Sequence, residues 1–322
     1  MFDVITIGSA VQDVFVTSRK FTLLKSPKFS TGVGECFALG SKINIDNIVF
    51  DTGGGATNAA VTFRRAGLKT SIVTKIGDDI SGEAVMRALK KEKIDTRHVV
   101  VDAKQTTGYS VILTAGEGDR SILTYRGVAA DLRERDISFS KLKTRWFYVT
   151  SLAGNIALLR KIVSFSEKHG VKVFLNPGGA ELKQRSFLKK MIRRVDVLSF
   201  NTEEAAVLLD LDFSNKKKLV DGMAALTNNT VLLTDGPDGT FFIDQGKRYS
   251  MPTTGKKSVN ATGAGDAFGS GFLAGYILRN DFRFALRLGL YNAEGVIQKI
   301  GAKNGIFTKV PSFLRKPTIK EF

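Results

Sequence analysis

Short apolar runs rich in β-branched and aromatic residues alternate with longer amphipathic stretches along nearly the whole chain, and this alternation restricts the fold more than any other feature. Residues 4–7, 71–74, 146–150, 171–175, 195–200 and 230–233 are short and continuously apolar, so they are predicted to be strands covered on both faces. Between them, residues 56–66, 82–91, 156–169, 182–193 and 203–209 are predicted to be helices. Such an order builds an α/β body, a mostly parallel sheet with helices on both faces, in which ligands gather at the carboxyl ends of the strands. Two stretches break the rhythm. Residues 14–50 mix polar and apolar segments punctuated by Gly32, Gly34 and Gly40. Residues 106–126 read as two short strands, 108–113 and 120–125, around the turn Ala115-Gly116-Glu117-Gly118-Asp119. The expected organisation is a body of residues 1–13, 51–105 and 127–322, with 14–50 and 106–126 pairing into a small β-sheet lid over the cleft.

Composition removes several function classes. The 322 residues can bury one large core. No apolar run approaches the roughly 18–20 residues of a membrane span. The apolar N-terminus is interrupted by Asp3 and Asp13 with no basic region before it, so it is expected to be a strand and not a signal peptide. A single Cys36 cannot form an internal disulfide, which fits a reducing cytoplasm. His98 and His169 are the only histidines, without partners at ligand spacing, which argues against a His-based metal site or a Ser-His-Asp triad. The net charge of +17 is spread along the chain, its densest run being Lys216-Lys217-Lys218, and no nucleic-acid-binding motif accompanies it. A solvated basic surface that draws in anionic substrates is the expectation, in preference to a nucleic-acid platform.

Two glycine-bearing strings carry chemistry. In Asn260-Ala261-Thr262-Gly263-Ala264-Gly265-Asp266-Ala267-Phe268, a Gly-rich turn opens a small, apolar, helix-compatible run. The first amides of a helix have no intrahelical partner and lie at the positive end of its dipole, so residues 263–265 form a candidate anion hole. Asp266 falls in the first turn, beside whatever anion those amides hold. A carboxylate there weakens anion binding but can accept the proton of an attacking hydroxyl. On the residues alone, an Asp that merely compensates the helix dipole is the lesser alternative. The second string, Asp51-Thr52-Gly53-Gly54-Gly55-Ala56-Thr57-Asn58, runs into a helix that carries Asn58 one turn in, a donor and acceptor suited to a hydroxylated ligand. Thr254-Gly255-Lys256-Lys257-Ser258 is similar to the end of a phosphate-binding loop, but Ser250 stands where the first glycine is required.

Together the two strings resemble the paired signatures of the ribokinase-like (PfkB) carbohydrate kinase family. Gly54-Gly55-Ala56-Thr57-Asn58-Ala59-Ala60 is followed by six residues and Gly67, then nine residues and Gly77, and Thr262-Gly263-Ala264-Gly265-Asp266-Ala267-Phe268 follows about 200 residues later. The resemblance implies a ribokinase-like three-layer fold with a small lid, and ATP-dependent phosphorylation of a hydroxyl on a sugar, a nucleoside or a sugar phosphate. It implies Asp266 as general base, with Asp13, Gly53, Gly54, Gly55 and Asn58 around the acceptor. Asn201 and Glu204 of Asn201-Thr202-Glu203-Glu204 resemble the family's element for magnesium and phosphates. Thr234, Gly236 and Gly239 resemble its nucleotide-binding turn, and Asn292 stands where relatives contact adenine. The implied cofactor is Mg2+ with ATP. In potassium-activated relatives K+ binds near the positions of Asn260 and Thr262, where many carry Asp in place of Asn260; asparagine keeps a carbonyl oxygen and loses the charge. A homodimer formed through the lid is a further implication. The Asn176-Pro177-Gly178 turn resembles ribokinase and favours a free sugar, whereas the long first insertion leaves room for a nucleoside.

Overall fold

The computed structural model describes residues 1–29, 32–115 and 120–322, so residues 116–119 of the predicted turn lie outside the described residues. The chain opens with β1 (Phe2–Ile7), β2 (Val11–Thr17), β3 (Thr22–Lys25), β4 (Val33–Cys36) and β5 (Asn47–Gly53). There follow α1 (Gly55–Arg65), β6 (Thr70–Gly77), α2 (Ile80–Lys91), β7 (Val99–Asp102), β8 (Gly108–Thr114) and β9 (Arg120–Tyr125). Next come β10 (Thr144–Val149), α3 (Ile156–His169), β11 (Lys172–Leu175), α4 (Gly179–Leu182), α5 (Arg185–Ile192) and β12 (Val197–Asn201). The remainder is α6 (Thr202–Leu209), α7 (Lys216–Leu226), β13 (Thr230–Thr234), β14 (Thr240–Asp244), β15 (Lys247–Met251), α8 (Ala264–Arg279), α9 (Phe282–Val296) and β16 (Lys320–Glu321).

Ten strands form the main sheet in the order β16-β15-β14-β13-β12-β11-β10-β1-β6-β7. From β13 to β7 every neighbouring pair is parallel, and the β14, β15 and β16 edge is antiparallel. The continuous apolar runs are explained by what each face meets. Phe147 and Val149 of β10 pack with α3, α5, α6 and α7, while Trp146 and Tyr148 pack with α1, α8 and α9. The same split separates Val173 and Leu175 from Phe174, and Val231 and Leu233 from Leu232. Both faces are therefore dry, as a three-layer α/β body requires.

One predicted helix is broken. Residues 182–193 form α4 and α5, separated at Lys183 and Gln184. Gln184 leaves helical geometry, and its Nε2 donates to the Gly154 carbonyl at 2.9 Å, so a tertiary hydrogen bond overrides the local helical pattern.

A second sheet, ordered β5-β2-β8-β9, stands apart from the first, and β3 pairs with β4 in a separate hairpin. The two insertions thus pair with each other. The sheet also takes in Val11 to Asp13 and Asp51 to Gly53, residues expected in the body. Register places Asp13 opposite Ser110, and Ser110 opposite Thr124, on one face. Phe50, Val14, Val111 and Leu123 lie in register one position away and so occupy the other face.

Candidate active site

β5 ends at Gly53 and feeds directly into α1. Gly54 adopts φ 95°, and a Cβ there would run into the Ser9 carbonyl; a Cβ on Gly53 would strike the Asp13 carboxylate. The absent side chains let Ser9, in the corner between β1 and β2, and Asp13 of β2 sit directly on the loop. Asn58, in the first turn of α1, is buried at 4% exposure.

The second junction caps α8 with Gly263 at φ 82°. Its backbone packs against Ala302, where a Cβ would lie 2.8 Å from the Ala302 Cβ, whereas a Cβ on Gly265 would meet nothing within 4 Å. Ala264 N–H makes a long bond to the Ala261 carbonyl at 3.3 Å, so one of the expected anion-hole amides is partly engaged. The two junctions meet: Asn58 Nδ2 donates to Asp266 Oδ2 at 2.8 Å. The carboxylate opens into a cleft of about 310 Å³ at the carboxyl end of the sheet, shared with Ser9, Asp13, Gly54, Gly55, Asn58 and Thr262. The lid contributes Ser110, Ile112, Ile122 and Thr124 to the opposite wall.

The charges in this cleft are perturbed. Burial pushes Asp13 up to about 6, with the charges of Asp51 and Asp266 adding to the effect and Lys303 and a hydrogen bond from Ser110 opposing it. Burial also raises Asp266, while the Asn58 amide and the Lys303 charge pull it back. Glu204 is raised by burial, against a hydrogen bond from the Asn201 backbone, and the Asp266 charge raises it further, so α6 brings this carboxyl toward the same space.

The pfkB family carbohydrate kinase profile matches residues 2–309. The chain belongs to the pfkB family. It is a phosphotransferase with an alcohol group as acceptor. It is similar to Haemophilus influenzae ribokinase, 26% identical over 275 residues that cover 84% of this chain and 89% of that one. Thermococcus kodakarensis cytidine kinase is 28% identical over 271 residues, covering 80% and 95%. The structure of Arabidopsis thaliana ribokinase complexed with ribose and ATP shares the fold, with a TM-score of 0.77 at 20% identity over 95% of each chain.

In this pfkB kinase the remaining predicted residues other than Asn292 fall into three groups. Asn201 and Glu204 form a reciprocal cap on α6: Asn201 Oδ1 accepts from Glu204 N at 2.7 Å, and Glu204 Oε2 accepts from Asn201 N at 3.0 Å. Asn201 is register partner of Thr234, which leads into the turn of Gly236 at φ 55° and Gly239 at φ 110°. That turn is anchored through Asp235, which accepts from Lys216 Nζ at 2.6 Å and from Thr202 Oγ1. Asn260 is buried with Oδ1 accepting from Thr262 N at 2.8 Å, while Thr262 Oγ1 is buried without a partner among the described residues.

Asn292 departs from expectation. It is fully buried, donates to the Ala267 carbonyl at 2.8 Å and to Thr62 Oγ1 at 3.1 Å, and accepts from Phe307 N at 3.2 Å. Gly271 and Gly289 bring α8 and α9 to within a Cβ's width, and Asn292 ties that contact to α1. It is a core residue with no face left for a nucleotide. Lys303, which motif reading missed, is instead part of the site: buried at 7% exposure, with Nζ 3.4 Å from Asn58 Oδ1. Its string Gly301-Ala302-Lys303-Asn304-Gly305 reads only as a polar turn, and the lone signal was a lysine between glycines.

Proposed function

We propose that this chain transfers the γ-phosphoryl group of ATP to a hydroxyl of a free sugar, with Asp266 as catalytic base. The observation that carries the reading is the hydrogen bond joining Asn58 to Asp266 across the two glycine-bearing junctions, at the floor of a cleft that also holds Asp13. Asp13 and Asn58 would hold acceptor hydroxyls. Asp266 takes the hydroxyl proton as the acceptor oxygen bonds to the γ-phosphorus and the bond to the β-phosphate oxygen breaks, releasing ADP. The first-turn amides of α8, chiefly that of Gly265, would receive the charge that develops on the phosphoryl oxygens.

Among the described residues no cluster of three or more His, Cys, Asp or Glu is arranged to hold a metal. The half-buried Glu204 suits a divalent ion bound through water and substrate phosphates, as Mg2+ commonly is. When bound, that ion would neutralise charge on the phosphates. The oxygen of Asn260 is neutral and already engaged with Thr262, which supports a reading without a potassium requirement.

Replacing Asp266 with Asn is expected to leave ATP binding nearly intact and to lower turnover by roughly two to four orders of magnitude. Unchanged turnover in that variant removes Asp266 from the role. A nucleoside acceptor is favoured by a separate feature, the apolar wall of Val11, Ile112, Ile122, Ala129 and Ala130, which a base would cover and a free sugar would not. ADP release measured with magnesium-ATP across sugars, nucleosides and sugar phosphates separates these acceptors. The outer lid face exposes Phe50 at 66%, Leu123 at 60% and Tyr125 at 58%, an apolar patch that supports pairing with a second copy. Sedimentation is expected to give a dimer that Phe50→Asp converts to monomer, and a monomeric parent protein would end that reading.

A further inference from the structure

Lys303 is an ammonium taken out of water, and such a group is costly unless charges or strong hydrogen bonds surround it. Among the described residues its one hydrogen bond is the 3.4 Å contact with Asn58 Oδ1. The carboxylates that act on it come from four elements: Asp51 on β5, Asp13 on β2, Asp266 on α8, and Glu92 just after α2. Asp51 Oδ2 is itself buried without a hydrogen-bond partner. A cation that feels four carboxylate charges, yet makes its one hydrogen bond to a neutral amide and no ion pair within 4.0 Å among the described residues, is poorly explained as a structural ion pair.

The amide gives the explanation. Asn58 spans the gap between Lys303 and Asp266, accepting from one through Oδ1 and donating to the other through Nδ2 at 2.8 Å. An ammonium has donors and no acceptor, so it admits only the oxygen end of the amide and turns the NH2 end toward Asp266. The charge of Asp266 in turn acts on Glu204 of α6 and on the buried phenol of Tyr148 on β10. Glu92 is already paired with Arg65, and the exposed Arg126 lines the same cleft, but the cation that acts on both Asp13 and Asp266 is Lys303.

We propose that Lys303 is a positioning residue for phosphoryl transfer: it locks the Asn58 amide toward Asp266 and keeps a positive charge beside Asp13 and Asp266 so that both persist as carboxylates in one cleft. The inference rests on Asp266 acting as base. A nearby cation lowers a carboxyl's pKa, so its removal must raise the pKa and move the acidic limb of the kcat profile to higher pH.

The test is the pH dependence of kcat for Lys303→Gln, with magnesium-ATP and the acceptor found by screening. The acidic limb is expected to rise by about one pH unit. The plateau is expected to fall about ten- to a hundredfold because the amide is no longer held. The KM for ATP is expected to stay near the parent value, and Lys303→Arg to return the limb to its original position. A limb that does not move in Lys303→Gln overturns the proposal; if Asp266→Asn is inactive in the same assay, the base assignment survives and only the role of Lys303 falls. If Lys303→Gln does not fold, the parent enzyme decides. With nitrogen-labelled lysine, the Nζ signal missing from Lys303→Arg is expected to titrate with the same midpoint as the alkaline loss of kcat. Midpoints differing by more than about one unit overturn the proposal.

Discussion

At the start of α1 the space beside every loop glycine is filled by the protein itself, whereas at the start of α8 Gly265 faces open space. Gly53 rests on the Asp13 carboxylate, Gly54 on the backbone of Ser9 and Ala10, and Gly55 on Thr150. At the other junction only Gly263 is packed in this way, against Ala302. The helices differ in charge as well: α1 has no acidic residue in its first turn, and α8 has Asp266. Two similar strings therefore use the missing side chain for different ends. One glycine set brings the chain's own segments together; the other leaves open space beside Gly265, where the proposed anion would approach.

Substitution at the packed junction is expected to have the largest effect on folding. Gly54→Ala places a Cβ at φ 95° with Ala10 Cα 2.9 Å away, and a loss of about 3 kcal/mol is expected in denaturant unfolding. A variant as stable as the parent would break the contrast. Asp13, pressed against Gly53, gives the next effect and has the opposite sign. Its folded pKa of about 6 exceeds the ordinary 3.8, so the native state holds a proton that the unfolded chain has released. Stability must therefore fall as pH rises from about 4 to about 6 and stay reduced above that. Asp13→Asn removes the penalty, and unfolding at neutral pH is expected to show a gain of about 2 to 3 kcal/mol that disappears near pH 4, together with weakened acceptor binding. An equal gain at both pH values would show that the Asp13 charge is not the cause. The smallest stability change belongs to Gly265→Ala, which is expected to stabilise α8 by about 0.5–1 kcal/mol. The same methyl group intrudes on the open approach, so kcat/KM for ATP is expected to fall about ten- to a hundredfold in steady-state assays. Undiminished activity would mean that the open space is not where the phosphates lie.

What could be read from the residues follows from how local each signal is. Strands such as β10 and β13 were legible because burial on both faces leaves a run with no polar interruption. The places of Asn58 and Asp266 in the first turns of α1 and α8 were legible because each follows a glycine turn at a fixed helical offset. Asn292 was misread because a polar residue on a late helix gives no hint that Gly271 and Gly289 draw two helices over it. Lys303 was missed for a related reason: its partner Asn58 is 245 positions away, and nothing in its neighbourhood records that distance. The break at Gln184 likewise depends on a carbonyl at Gly154.

β5 is at once the edge of the small sheet and the strand that enters α1. Its last residue and Asn58 are separated only by Gly54, Gly55, Ala56 and Thr57, with Thr57 Oγ1 bonded back to Gly53 O at 2.6 Å. A displacement of the covering sheet would therefore pass through one short connection to the amide that touches Asp266, joining the roof of the cleft to its floor.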